Sequence, residues 1–385
     1  MKKIGICACY DTKNYGSMLQ AFATQIAIDK LGFESEYIVY KKKKTLAFLL
    51  KQIPRFLNAN LMHDKLLGMQ KKAKLSKYPK IREKDNIRCL AFKEFQKRYY
   101  RSFSSEYYGY DELKVGARHY DSVVVGSDQL WTPGGLASNF YNLMFVPDEI
   151  NKISYATSFG VGTIPWYQKK RTKQYLDRIN YLSVREIKGA ELIKKLTDRD
   201  AKVVSDPTLL LSKLQWDELI PLKRLVREPY IFCYFLGGNP EHRKIAMELQ
   251  LKTGLKIVTT PFLDSFVLED LNFGDEHLFD VAPDDFVNLI RGAEFVVTDS
   301  FHGSIFSILN HKKFVTLNRF KEGSKNSRNS RIDSLCGILG LHERRYVSDI
   351  FKTISKEIDY DLVDKKIEVL RSESMEYLQN ALDKR

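Results

Sequence analysis

Glu294-Phe-Val-Val-Thr-Asp-Ser-Phe-His-Gly303 is the stretch that decides the fold. Its apolar run reads as a short buried strand, and polar residues follow at once. Asp299, Ser300 and His302 then fall at the carboxyl end of that strand. They sit on a loop that Gly303 turns into a helix, whose first N–H groups point outward to an anion. The chemistry suggested is a phosphate beside an imidazole. The bland account, a histidine that only caps or packs, is weakened by the position, because ligands of open α/β sheets bind at the carboxyl ends of strands.

The same alternation of apolar run and helix extends in both directions. Lys3 to Tyr10 reads as a strand closed by Asp11 to Gly16, and Ser17 to Leu31 has apolar residues at helical spacing. Further apolar runs are Glu36 to Tyr40, Ser122 to Val125, Ile153 to Ser158, Tyr181 to Val184 and Lys202 to Val204. After a polar patch, Ser212 to Glu228, strands are expected at Pro229 to Phe235, Leu255 to Thr259 and Lys313 to Leu317. Helices are expected at Pro240 to Leu251, Asp284 to Gly292, Gly303 to Leu309, Ser330 to Gly340 and Lys356 to Leu382. Continuous short apolar runs between helices indicate parallel sheets covered on both faces. At 385 residues the chain exceeds the size of one core. The fold class read from this is α/β, with two Rossmann-like domains, residues 1–222 and 223–385, facing across a cleft. A basic helical insertion, 41–101, belongs to the first, and a terminal helix, 356–382, to the second.

The net charge of +14 is local. Segment 41–101 holds 19 Lys+Arg against 4 Asp+Glu, so the rest of the chain is close to neutral. Aromatics are not regularly interleaved there and no reading motif accompanies it, which argues against nucleic acid. Leu46-Ala47-Phe48-Leu49-Leu50, Ile53 and Phe56-Leu57 lie among the lysines, a mixture suited to an anionic membrane; a solvated helical surface is the plainer account. Asp11 interrupts the first apolar run before an export signal is complete, and the five scattered cysteines suit reduced thiols. The expected location is cytoplasmic, at the inner face of the membrane if the insertion binds there. Walker, dinucleotide-fingerprint, zinc and nucleophile-elbow patterns are missing, so no metal or cofactor is expected.

Other strand ends carry candidates. Gly126-Ser127-Asp128-Gln129-Leu130-Trp131 follows a strand, and Asp128 could serve as a general acid if burial raised its pKa; turn formation accounts for it equally well. Ser183-Val184-Arg185-Glu186 presents a guanidinium suited to forked contacts with phosphate or carboxylate, or to an internal ion pair. Asp206-Pro207 reads as a structural turn. Asn14-Tyr15-Gly16-Ser17 reads as a capping loop able to touch an acceptor. Asn318, Arg319, Lys321, Lys325, Asn326, Arg328 and Arg331 form a cationic stretch read as a lid over an anion, or as a solvated loop.

Taken in order, Asn14-Tyr-Gly-Ser-Met-Leu-Gln-Ala, Val125-Gly-Ser-Asp-Gln-Leu-Trp131, Tyr155-Ala-Thr-Ser-Phe-Gly160, Ser183-Val-Arg-Glu186, Ser205-Asp-Pro-Thr208 and Thr298-Asp-Ser-Phe-His-Gly-Ser304 resemble the polysaccharide pyruvyl transferase family. The resemblance implies a GT-B-like pair of domains and a transfer of the pyruvyl group of phosphoenolpyruvate, as co-substrate, onto a saccharide acceptor, free or lipid-linked. The product would be a pyruvyl ketal in cell-surface polysaccharide. In that frame His302, Asp128 and Arg185 are the catalytic candidates. Ser300, Gly303, Ser304, Arg319, Lys321 and Arg328 would bind the donor, and Asn14, Tyr15, Gly16, Ser127, Gln129 and Trp131 the acceptor. Two competing readings are a GT-B glycosyltransferase gripping a nucleotide sugar through Glu294 or Asp299, and a non-catalytic binder of acidic polymers or membranes.

Overall fold

Apolar runs too short to span a layer as helices pair instead, and every pairing among the described strands is parallel. The computed structural model describes residues 1–43, 77–264, 267–320 and 329–383. The first sheet has the order β3-β2-β1-β4-β5-β6-β7. Its strands are β1 (Lys3–Cys7), β2 (Glu34–Lys41), β3 (Phe103–Tyr108), β4 (Ser122–Asp128), β5 (Asn151–Thr157), β6 (Ser183–Val184) and β7 (Lys202–Val203). The second sheet, β10-β9-β8-β11-β12, is built from β8 (Tyr230–Tyr234), β9 (Lys256–Thr259), β10 (Glu276–His277), β11 (Phe295–Thr298) and β12 (Lys313–Thr316). Two Rossmann-like sheets of this kind are the GT-B-like arrangement the sequence suggests.

Both sheets reverse their winding direction at one place, between β1 and β4 in the first and between β8 and β11 in the second. There Cys7 pairs with Val125 and Tyr234 with Thr298. Loops leaving neighbouring strands at such a point part to opposite faces and leave room for a ligand. The loops after β4 and β11 carry the two quoted candidate motifs.

The helix Tyr15–Lys30 follows β1. Asn14 caps it, its Oδ1 accepting from Ser17 N at 3.0 Å. It is buried continuously from Tyr15 to Ile28 rather than on one stripe. The reason is position, since it lies between the first sheet and the second half: Tyr15 stacks on Phe286 with ring centroids 4.8 Å apart.

Most of the basic insertion, residues 44–76, lies outside the described residues, and the membrane expectation falls largely there. The described part forms a helix, Pro79–Tyr99, which is not simply a solvated surface. Phe92 and Phe95 are buried, the Phe92 ring lies 5.0 Å from Tyr15, and Tyr99 donates to Asp284 in the second half at 3.0 Å. Among the described residues no helix is long and apolar enough to cross a membrane.

The terminal helix, Tyr360–Asp383, corrects an expectation. Sequence order assigns it to the second half, where it begins, with Tyr360 donating to Lys312 O at 2.5 Å and Lys366 to Leu339 O at 3.2 Å. It ends on the first half. Ser374 Oγ accepts from Ser205 N at 2.9 Å, Tyr377 donates to Ser154 O at 3.1 Å, and Ala381 O accepts from Asn151 at 2.8 Å. Its apolar residues Leu378, Ala381 and Leu382 are buried there, so hydrophobic burial holds the chain end on the opposite half.

Candidate functional site

Asp206 lies at the junction of the two halves and collects contacts from both. Its Oδ1 accepts from Thr208 N at 3.0 Å and Thr208 Oγ1 at 2.7 Å, so it is the turn residue the sequence suggests. Its Oδ2 has a second task. Arg185 Nη1, from the end of β6, donates to it at 2.6 Å, and His302 Nε2, from the second half, lies 3.4 Å away. Arg185 also reaches Asp128, Nη2 to Oδ1 at 3.3 Å, and Ser17 Oγ donates to Asp128 Oδ2 at 2.7 Å. The candidate imidazole, guanidinium and carboxylate therefore meet at one place, between the carboxyl ends of the two sheets. The expected open cleft is closed at this point, with Arg185, Asp206 and His302 all buried.

Local folding places each group. The helix Phe301–Leu309 starts one residue before His302, because Ser300 Oγ accepts from Gly303 N at 3.2 Å and caps it. His302 is thus in the first turn of a helix and not on a loop. On the opposite side Gly16 fits against the imidazole: a Cβ there would stand 2.0 Å from His302 Nδ1. Asp128 adopts φ 83°, a left-handed conformation uncommon for a residue with a side chain.

Charge is distributed unevenly. Burial pushes the Asp128 carboxyl up, but Arg185, His302, Arg331 and the Ser17 hydroxyl outweigh it and bring the pKa down to about 2. An anion of that kind is no proton donor at neutral pH, which corrects the expectation of Asp128 as the acid. Asp206 is likewise held well below the usual carboxylate range, burial being outweighed by His302, Arg185 and Thr208. Glu186 goes the other way. Burial raises it despite Arg185, a Ser158 Oγ bond at 2.7 Å to Oε1, and Arg331, and its Oε2 is buried without a hydrogen-bond partner.

These directions fix a pH response. Asp128 and Asp206 have folded pKa values below the ordinary 3.8, so their stabilisation is present above that value and is lost as pH falls through the folded values. Glu186, raised from 4.5, favours the folded state at low pH and disfavours it as pH rises through its folded value. Melting temperature should therefore hold on acidification to about pH 4 and fall steeply only below it. A midpoint of acid unfolding at pH 5 or above would contradict this charge assignment.

Several candidate residues are occupied elsewhere. Tyr15 belongs to the aromatic core between the halves, and Ser127 is fully buried, donating Oγ to Ala156 O at 2.9 Å and N–H to Gln20 at 2.9 Å. Trp131 packs on Phe159 and Tyr175 and gives its indole N–H to Tyr141 O, so it presents no face to a sugar. Gln129 lies against Gly160, and Asn14 serves as the helix cap. Ser300 Oγ accepts from the Gly303 N–H, and Ser304 Oγ donates to Ser300 O at 3.0 Å, so the Gly303 N–H and the Ser304 hydroxyl are not free donors to a phosphate. Arg319 Nη2 donates to Asp299 O at 2.9 Å, and its Nε is 3.6 Å from Asp299 Oδ1. Lys321 and Arg328 lie outside the described residues, as do Lys325 and Asn326.

Sequence reasoning gave no site role to Asp206 or Glu186, it saw Ser17 only as part of a capping loop, and it placed Arg331 in a stretch read as a lid over an anion or a solvated loop. For Arg331 a sequence pattern existed. It shares a helical stripe with Leu335 and Leu339 in Ser330–Leu339, so a buried guanidinium was legible from spacing. A groove of about 230 Å³ opens at the ends of β1 and β2, lined by Tyr10, Asp11, Tyr40, Lys42, Ser138 and Tyr141. Cys9 lines it as well; burial and Asp128 raise its thiol to about 12, which puts the groove close to that carboxylate.

Two facing parallel sheets with a buried charged cluster at their joined carboxyl ends define a GT-B-like fold. In fold the chain is similar to an alpha-glucosyltransferase in complex with UDP, at 8% identity and a TM-score of 0.50, covering 99% of this chain and 95% of that one. It is also similar to the UDP-GlcNAc 2-epimerase from Methanocaldococcus jannaschii, at 11% identity and a TM-score of 0.49, covering 96% and 92%. No curated protein matches the chain. The polysaccharide pyruvyl transferase family matches residues 14–319, and the chain belongs to that family.

Proposed function

We propose that the protein transfers the pyruvyl group of phosphoenolpyruvate to a saccharide and forms a ketal. The observation that supports this most is the meeting of His302 and Arg185 on Asp206 between the two halves. A small phosphorylated acid carrying three negative charges needs cations to receive it, and it needs proton-handling groups beside them.

Two sugar hydroxyls each lose a proton in this reaction. One proton goes to the methylene carbon of the donor and one to the departing phosphate, so the balance closes without an oxidant. Protonation of the methylene generates an oxocarbenium-like carbon. The first hydroxyl adds there, the carbon–oxygen bond to phosphate breaks, and the second hydroxyl completes the ketal. Glu186, a buried carboxyl whose pKa is raised, takes the acid role instead of Asp128. His302 accepts the hydroxyl proton, and Asp206 orients it. The acceptor sugar is assigned to the groove lined by Tyr10, Asp11, Tyr40, Lys42 and Tyr141, whose polar groups suit sugar hydroxyls.

Mass spectrometry of candidate glycans incubated with phosphoenolpyruvate tests the reading: one pyruvyl group should be gained for each phosphate released. Thermal stabilisation by a nucleotide sugar and not by phosphoenolpyruvate would instead favour a glycosyltransferase. Glu186→Gln should lower turnover about 10²–10⁴-fold while donor affinity stays near that of the parent. An unchanged rate would remove Glu186 as the acid.

A further inference from the structure

We propose that Arg331 is the anchor for the anionic group of the donor, a phosphate or carboxylate bound over Phe301 beside Arg185. This rests on the reading that the cluster takes a phosphorylated acid, and it assigns the residue that holds it.

Arg331 is only 7% exposed. Among the described residues Arg88, Arg185, Arg243 and Arg344 are the other buried arginines, and each meets a carboxylate: Asp264, Asp206, Asp270 and Glu343 respectively. Among the described residues Arg331 meets no carboxylate within ion-pair distance, and its Nε is buried without a partner. A buried guanidinium in that state is costly, so its persistence calls for an occupant of opposite charge.

Its surroundings indicate where that occupant goes. The Arg331 guanidinium carbon stands 5.7 Å from the centre of the Phe301 ring, and that of Arg185 stands 4.6 Å from the same ring. Two like charges on one aromatic platform repel each other. Arg185 has already given Nη1 to Asp206 and Nη2 to Asp128, whereas the fork of Arg331 is uncommitted. Burial, then Arg185 and Arg319, lower the Arg331 pKa to about 9, against Asp128 and Glu186. An anion shared by the fork reverses that penalty, and the planar fork matches a phosphate or carboxylate edge. Phe301 holds the guanidinium plane by cation–π contact without neutralising it.

The test is thermal melting of the full chain titrated with inorganic phosphate, phosphoenolpyruvate and a UDP-sugar, for the parent protein, Arg331→Gln and Arg331→Lys. The expected result is that Arg331→Gln melts at or above the parent when no ligand is present, since an unpaired buried cation is gone. Its apparent affinity for phosphate and phosphoenolpyruvate should fall about 10- to 100-fold, with Arg331→Lys in between. Parent-like affinity in both variants overturns the anchor and leaves the pyruvyl transfer reading standing. So does a ligand-free melting point below the parent in both variants, which marks a structural arginine. If only the UDP-sugar stabilises the parent and Arg331→Gln weakens that effect, the anchor stands and the phosphoenolpyruvate reading falls.

Discussion

Arg185→Gln is expected to lower the stability of the folded chain by about 3–5 kcal/mol and to abolish measurable transfer. The arginine is 5% exposed and neutralises two carboxylates at once, Asp206 at 2.6 Å and Asp128 at 3.3 Å. A glutamine reaches neither with a charge. Both carboxylates then stay buried near His302 and Arg331 alone, and the desolvation that Arg185 offsets is no longer met. Denaturant unfolding of Arg185→Gln, Asp206→Asn and the double variant checks the assignment. Because the two side chains touch, the double variant should lose much less than the sum of the single losses. Strict additivity would show that the ion pair is not what holds this junction together.

How far the site was legible follows from what each part depends on. The buried parallel strands were legible because β4 (Ser122–Asp128) and β8 (Tyr230–Tyr234) read as nearly continuous apolar runs, the expected pattern when both faces are covered. Strand β3, Phe-Ser-Ser-Glu-Tyr-Tyr, escaped because it is an edge strand with half-exposed and exposed positions and no apolar run. Arg185 and His302 were recognisable from their places after strands β6 and β11. Their roles were not, because those depend on Asp206, about a hundred residues from His302 and brought to it only by the docking of the two halves. The acceptor candidates failed for a related reason. Tyr15, Ser127 and Trp131 lie near a strand end in sequence, but the first helix and the β4 loop turn all three inward, where aromatic packing and backbone bonds use them. A residue's position along the chain gives the end of the sheet it occupies, and the side-chain direction is left to tertiary packing.

Gly16→Ala gives the second large effect, and it separates position from chemistry at His302. The glycine lies in the first turn of Tyr15–Lys30, where alanine is the better helix former, so local propensity alone favours the substitution by up to about 1 kcal/mol. Packing reverses the sign. The added methyl would stand 2.0 Å from Nδ1, 2.3 Å from Cγ and 2.8 Å from Cβ of His302, distances at which the imidazole must move. Overpacking of this kind costs about 1–3 kcal/mol, and the displaced ring loses its approach to Asp206. Turnover should therefore fall about as far as in His302→Ala, roughly 10²–10³-fold, although residue 16 has no polar side chain that could act on a substrate. In the His302→Ala background the two ring contacts are gone and only the 2.8 Å approach to Cβ is left. There Gly16→Ala should cost little further activity and should lower the melting temperature much less than in the parent, so the two substitutions are strongly non-additive in both rate and stability. A full additional loss of rate in that background would mean that Gly16 serves the reaction through its own backbone, with the imbalance at His302 only a by-product of the fold.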